Sequence, residues 1–314
     1  MTLNFRQIRA FVAVYEEGSF NRAARRENAT QSGLSMQVGN LEAAIGLSVF
    51  ERTPKGVVPT QAGERLYRRA TAMLRAMSQT ESELAGLAGE VSGRVRVGLI
   101  PAFTYSLLAP ALAGFIDRYP SVDATIIEAY SPTLSDAVAR GEYDFAVVPA
   151  GRERSGIRSS HFGSDRELLV SGRHSPLVHL EPVRLADMPP LKLVLPTHGN
   201  ARRERLETFF AANGVGIAAI IEMDAMLATL EFVAETDWMT IVPSIIVSGD
   251  IGSGDIGSGR RKLNPIVAPR AGVDYTAIEP SGRVLGASAR LFLETLKSQF
   301  ETLQTRLSAA LPKA

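Results

Sequence analysis

Apolar residues recur at helical spacing along the first 87 positions and alternate at strand spacing soon after residue 94, so the chain divides there. Ile8, Phe11, Val12, Val14 and Tyr15 mark one face of a first helix, which Gly18 closes. Ser19 is a good N-cap for a short second helix to about Glu27, in which Ala23 and Ala24 let a neighbour approach closely. Thr30 caps a third helix that turns Leu34, Val38, Leu41 and Ile45 inward and ends at Gly46. Gln31, Ser32, Ser35 and Met36 are then left facing out at its N-terminal end. Residues 49–60, with Arg52, Pro54, Lys55 and Gly56, suit a short wing. Beyond it Leu66, Ala70, Met73, Met77, Thr80, Leu84 and Leu87 alternate steps of four and three, the seam of a coiled coil. A helix of about 28 residues there would run ~42 Å.

Residues 91–94 read as a hinge, and strand and helix alternate after it. Strands are expected at 94–100, 122–129, 145–148, 168–170, 193–195, 217–222 and 240–242. Helices are expected at 105–118, 132–140, 202–212, 224–234 and 287–307, the last turning Leu291, Phe292, Leu296 and Phe300 inward. Such alternation predicts mostly parallel sheets covered on both faces. About 220 residues suit two lobes better than one.

Charge sharpens the reading of the first segment. Residues 1–75 hold eleven basic side chains against six glutamates, a net charge of +5, whereas the whole chain carries only +1. Concentrated basic excess is the electrostatic footprint of a phosphate binder, although Arg25, Arg26, Arg68 and Arg69 could each simply solvate a helix face. Recognition helices read base edges with their first residues, while amides and basic side chains hold phosphates. The candidate contacts to double-stranded DNA are therefore Ser19, Arg22, Thr30, Gln31, Ser32, Ser35, Met36 and Gln37, with Arg52 and Lys55 on the wing.

At these residues a family resemblance becomes specific. The runs Ser19-Phe-Asn-Arg-Ala-Ala24, Thr30-Gln-Ser-Gly-Leu-Ser35, Leu41-Glu-Ala-Ala-Ile-Gly46, Val49-Phe-Glu-Arg52 and Thr60-Gln-Ala-Gly63 resemble those of LysR-type transcriptional regulators. The match covers residues 5–63 almost unbroken. Departures are Thr30 for the commoner Ser, Ser32 for Pro, Val49 for Leu, and Met36 where many relatives place Arg or Lys. Direct readout would then lean on Gln31, Ser32 and Ser35, with Met36 meeting at most a thymine methyl. The resemblance implies an α/β protein with an N-terminal all-α winged helix-turn-helix (1–63), a long linker helix for dimerisation (60–90) and a two-lobed effector domain like a periplasmic binding protein (91–314). Lobe one would take 93–165 and 268–300, and lobe two 166–267. It also implies a homo-oligomer, a dimer of dimers, that senses a small organic acid between the lobes.

Open α/β sheets bind ligands outside the carboxyl ends of their strands. Helix starts at Thr104–Ser106 and after the turn 197–200 would offer free amides to a carboxylate. The candidate effector contacts are Thr104, Ser131, Thr197 and Asn200, with Phe103 and Tyr105 as apolar walls and Val148 and Asp224 at strand ends. The hydroxyls could instead only cap helices. His198 could tune an anion site or be solvated, and of Arg202 and Arg203 one is expected to face the ligand and the other solvent. Trp238, the only tryptophan, is expected behind the pocket or at a subunit contact.

Residues 248–252, Ser-Gly-Asp-Ile-Gly, are copied at 253–257, a five-residue duplication that reads as a flexible loop with a remote chance of holding a cation or phosphate. With no cysteine, thiol sensing and disulfides are excluded, and the four histidines lack metal-ligand spacing, so no metal or cofactor is implied. No apolar run of ~18 residues and no signal peptide are visible, which predicts a cytoplasmic protein without membrane contact. Three functions compete: a ligand-responsive regulator, a solute-binding protein of periplasmic type, and an enzyme. No nucleophile elbow, P-loop or dinucleotide fingerprint supports the last, and the DNA reader favours the first.

Overall fold

Three helices and a hairpin build the N-terminal unit of the computed structural model, which describes residues 3–53, 56–87, 91–151, 154–252, 260–282 and 284–312. Contacts divide the chain into two units, Met1–Gly93 and Arg94–Ala314. In the first, α1 (Phe5–Glu17), α2 (Phe20–Arg26) and α3 (Gln31–Ile45) enclose Ile8, Phe11, Val14, Ala23, Leu34, Val38 and Leu41. Local signals set their ends. Asn4 and Gln7 form a reciprocal capping box, Ser19 and Thr30 cap the next two helices, and Gly18 and Gly46 close α1 and α3 in the left-handed conformation.

Strands β1 (Phe50–Thr53) and β2 (Gly56–Pro59) pair antiparallel as the wing. Gly56 is required where it stands: its φ is +134°, and a Cβ would sit 2.6 Å from the Gly18 carbonyl oxygen. The long helix α4 (Gln61–Leu87) begins as part of this unit, with Ala70 fully buried, Leu66 and Leu74 against the core, and Tyr67 stacked on Tyr15 at 3.9 Å. Farther along, Met73, Met77 and Leu84 are exposed within one chain. The uncovered part of the expected seam therefore starts near Met73, because Leu66 and Ala70 serve the helix's own domain.

The second unit holds two sheets that share a strand. The chain runs β3 (Gly93–Leu99), α5 (Pro101–Ser106), α6 (Leu108–Arg118), β4 (Val122–Glu128), α7 (Ser131–Ala139), β5 (Phe145–Pro149) and the 16-residue β6 (Ile157–Gly172). It continues through β7 (Leu191–Leu195), α8 (Ala201–Ala212), β8 (Ile217–Glu222), α9 (Met226–Glu235), β9 (Met239–Pro243), α10 (Ser248–Gly252), β10 (Arg261–Pro265), β11 (Gly272–Pro280) and α11 (Ala287–Ala310). The lobe-one order is β4-β3-β5-β11-β6, and lobe two continues from the far half of β6 through β9, β7 and β8, with β10 also on β6. The switch falls between Arg166, which faces Gly272 of β11, and Glu167, which faces Pro243 of β9.

Only the outer strands are parallel. β11 runs antiparallel to β5 and β6, and β6 antiparallel to β9 and β10, because the passages between lobes are themselves long strands. This corrects the expectation of mostly parallel sheets. Asp165 sits buried at the switch, where its carboxylate accepts from Ser244 Oγ, Ile245 N, Gln304 Nε2 and Arg166 N at 2.5–3.1 Å. Burial raises its pKa while those four donors oppose the rise. Lobe one packs on Phe103, Phe115, Phe145 and Phe292, with Phe300 of α11 stacked on Phe103. Lobe two packs on Leu169, Leu193, Leu206, Phe210 and Ile241.

Candidate DNA-reading surface and effector cleft

Thr30 turns the chain into α3 by accepting a hydrogen bond from Gly33 N at 3.1 Å. The first turn thereby presents Gln31 and Ser32 to solvent, with Met36 exposed and Ser35 and Gln37 half-buried beside them. Ser19 is the α2 cap, accepting from Arg22 N. Arg22 itself folds back: Nε donates to the Glu17 carbonyl at 3.0 Å and lies 3.7 Å from the Glu17 carboxylate, so the α1–α2 turn engages it. Arg9 and Arg26 are likewise paired, with Glu27 and Glu16. Exposed Arg25, Arg65, Arg68 and Arg69 have no acidic partner among the described residues. Arg52 lies on β1 opposite Val57, and Lys55 lies outside the described residues.

Two residues that pattern reading passed over hold the wing. Glu42 of α3 accepts from Val49 N at 2.7 Å and Phe50 N at 3.4 Å, bracing the wing's entry. Thr60 donates to the Ser48 carbonyl and accepts from Gly63 N, tying the wing's exit to the start of α4. Their places inside the runs 41–46 and 60–63 carried that signal.

A cleft of ≈ 650 Å³, counting its open mouth, lies between the lobes of the second unit. It is built at the carboxyl ends of β3, β5, β7, β8 and β9, as the open-sheet rule requires. Ile100, Val194, Leu195, Met223, Met226 and Ile246 give it apolar walls. Polar side chains enter from Tyr130, Ser131, Asn200, Arg202, Thr229, Thr240 and Tyr275. Tyr130 of lobe one donates to the Asp224 carbonyl of lobe two at 2.7 Å, a direct strut across the cleft. Burial and nearby Asp224 hold that phenol's pKa up and keep it a donor.

Of the expected effector contacts, Ser131, Asn200 and Arg202 line the cleft together. Asn200 caps α8 by accepting from Arg202 N at 3.0 Å. Arg202 donates to the Ile241 carbonyl and, at 3.2 Å, to Glu167, itself 2% exposed. Arg203 is buried rather than exposed and binds the Pro196 carbonyl, Glu207 and Glu222, which corrects the expected split between the two arginines.

The others are not among the lining residues, although the Asp224 backbone carbonyl takes the Tyr130 strut across the cleft. Phe103 is enclosed by Phe162, Tyr275 and Phe300 in the lobe-one core, and Val148 is buried in β5. Tyr105 faces solvent. Thr104 donates to the Pro101 carbonyl and to Glu128, because the helix starts at Pro101 rather than at Thr104, so no free amides stand there. Thr197 donates to Asp224 through both N–H and hydroxyl, and His198 pairs with Glu222 at 3.2 Å. Trp238 packs by Phe232, away from the cleft. The first Ser-Gly-Asp-Ile-Gly copy is no loop but helix α10, with Asp250 on Arg261 at 2.9 Å, and the second copy lies outside the described residues.

Residues 5–64 match the family model described as bacterial regulatory helix-turn-helix protein, lysR family, and residues 88–301 match that of the LysR substrate binding domain. The chain belongs to the LysR family of transcriptional regulators. Among its LysR relatives it is 31% identical to the regulator PgrR of Escherichia coli (strain K12), over 72% of this chain and 75% of that protein. It is 29% identical to GbpR of Azospirillum brasilense, over 76% and 71%. Among solved structures, a full-length OxyR variant from Pseudomonas aeruginosa superposes with a TM-score of 0.70 at 18% identity, covering 96% of this chain and 95% of that one. Full-length CbnR in complex with its target DNA gives 0.62 at 20% identity, covering 94% and 99%. The solute-binding alternative gives way here, since a LysR DNA-binding module precedes the two lobes. Among the described residues no helix is long and apolar enough to cross a membrane, and no cluster of His, Asp and Glu could hold a metal ion.

Proposed function

We propose that this LysR-family protein reads a pseudo-palindromic promoter site as a dimer of dimers in the cytoplasm, and that a small organic acid in the interlobe cleft alters that reading. The carrying observation is the first turn of α3, capped by Thr30 and presenting Gln31 and Ser32 with Ser35 beside them. Helix ends of that kind place polar side chains on base edges and amides on phosphates. The acid's carboxylate is held at the starts of α7 and α8, by Ser131, Asn200 and the Arg202 guanidinium. Exposed Met73, Met77 and Leu84 on α4 supply a seam for pairing two chains. Ligand closure acts only through preference for one arrangement of the lobes, with the Tyr130–Asp224 strut among the contacts that differ. The acid is bound and released unchanged.

Capture of genomic fragments by the purified full-length protein at about 150 mM salt tests it. Enriched fragments sharing an interrupted inverted repeat, lost in Gln31→Ala and Ser35→Ala proteins of unchanged helicity, are the expected result. Uniform weak capture by wild type and both variants would sink the assignment of the reading helix.

A further inference from the structure

Two hydroxyls of residues bordering the cleft lack a hydrogen-bond partner among the described residues: Tyr275 Oη on β11 and Thr229 Oγ1 on α9. Tyr275 is 0% exposed and Thr229 4%. A hydroxyl stripped of water and given nothing in return destabilises the fold, and buried groups of this kind are scarce. Several other polar groups of the cleft already have a partner, with Arg202 and Asn200 keeping further N–H donors for a carboxylate. Thr240 donates to the Val194 carbonyl, Tyr130 to the Asp224 carbonyl, and Arg202 to Glu167 and Ile241, while Asn200 accepts from Arg202 N. The Tyr275 ring is fixed edge-on against Phe103 and Phe300, so its hydroxyl cannot swing away to find a partner.

Charges of both signs act on that hydroxyl, Asp165 and Glu167 raising its pKa and Arg202 and Arg205 lowering it. A second ionised carboxylate placed there would give up its hydration for a single hydroxyl proton, a costly exchange. An uncharged oxygen gives up far less and accepts the phenol's hydrogen bond. Burial keeps that proton in place, since it pushes the phenol's pKa well up.

We propose that the effector bears, besides its carboxylate, an uncharged oxygen (hydroxyl or carbonyl) on an apolar body, and that Tyr275 and Thr229 select for it. This rests on the acid-sensing reading above for the carboxylate alone; the oxygen contact is independent of it. Because Tyr275 comes from the lobe-one sheet and Thr229 from lobe two, such a ligand ties the lobes together.

The test is calorimetric titration of the full-length protein with matched pairs: phenylacetate against its three hydroxyphenylacetate isomers, hexanoate against 5-oxohexanoate, and uncharged toluene against 4-methylphenol. At least one oxygenated member should bind about fivefold or more tighter than its parent, the gain from satisfying a buried hydroxyl. Tyr275→Phe, which keeps the packed ring, should bring that ratio to within about twofold, and Thr229→Val should lower it. Equal affinities within every pair, or a preference that survives both substitutions, would overturn the proposal. Preference for 4-methylphenol with no acid bound would sink the carboxylate reading and uphold this one. Preference among the acids supports both, and absence of binding by every probe defeats both.

Discussion

Replacing Glu167 by Gln removes one buried negative charge and leaves two cations facing each other. Glu167 Oε1 accepts from Arg202 Nε at 3.2 Å and from Arg205 NH2 at 2.8 Å. The Glu167 and Arg202 side chains are 2% and 11% exposed, whereas Arg205 is 33% exposed and can recover hydration. Breaking a buried pair by removing one partner costs about 3–5 kcal/mol, chiefly for the charge left unpaired. Both bonds land on Oε1, so the Gln amide oxygen can still accept them, and what is lost is the charge that compensates two guanidinium groups. Arg205 is discounted for its exposure, so the loss is placed near 3 kcal/mol.

Trp238, the chain's only tryptophan, packs by Phe232 in lobe two and reports unfolding of the second unit. With a urea slope of about 3 kcal/mol per M, the Glu167→Gln midpoint should fall by roughly 1 M. Adding Arg202→Met should restore part of it, since the orphaned charge is then gone. Arg202 also borders the cleft, so carboxylate affinity should rise several-fold in Glu167→Gln and become more sensitive to salt. A midpoint within about 0.2 M of wild type would refute the claim that Glu167 compensates Arg202.

Two further predictions concern other parts of the chain. In Gly63→Ala the new Cβ would stand 2.2 Å from the Val49 carbonyl oxygen, backbone against side chain with no room to yield. The N-terminal unit should lose about 3 kcal/mol or more, read as lost DNA binding while Trp238 unfolding is unchanged; full DNA affinity would refute it. His179 Nδ1 accepts from Leu263 N at 3.2 Å, and burial lowers its pKa below the usual 6.5. The unfolded chain therefore takes the proton first, and stability is fully present above pH 6.5 and declines as pH falls below it. Thermal melts between about pH 7.5 and about pH 5 should fall less steeply for His179→Ala; equal slopes would count against the assignment.

The N-terminal unit was legible almost residue by residue because its signals are local. Caps at Ser19 and Thr30, left-handed glycines at 18 and 46, and the inward faces of α1 and α3 all act within four residues of the position they control. The second unit was legible where strand and helix alternate, and its central strands were not. The near half of β6 reads Ser159-Ser-His161 and Ser164-Asp165, polar residues that no period marks, and only pairing with β11 makes them a strand. β11 itself buries Val273, Tyr275 and Ala277 in alternation, a visible pattern hidden beside a lobe boundary. The helix expected at 105–118 is two helices that part at Leu107, and the first starts early because Pro101 occupies the first-turn position that proline favours.

That early start explains the part of the difference at the cleft that falls on residues 103–105. Moving a helix origin by three or four residues keeps the loop in place but changes which side chains look out of it, so Phe103 and Thr104 went to the core and to Glu128. Where the expected helix start lies within one residue of the observed one, at α7 and α8, Ser131 and Asn200 border the cleft. Thr197 and Asp224 failed for another reason: each satisfies the other. Strand ends tell where a ligand sits, but its polarity depends on which groups remain after the protein has bonded to itself. Tyr275 and Thr229 are such a remainder, on elements 46 positions apart in the chain and in different lobes. A local period reports that such a residue is buried, but what sets these two apart among the cleft residues is the absence of a partner.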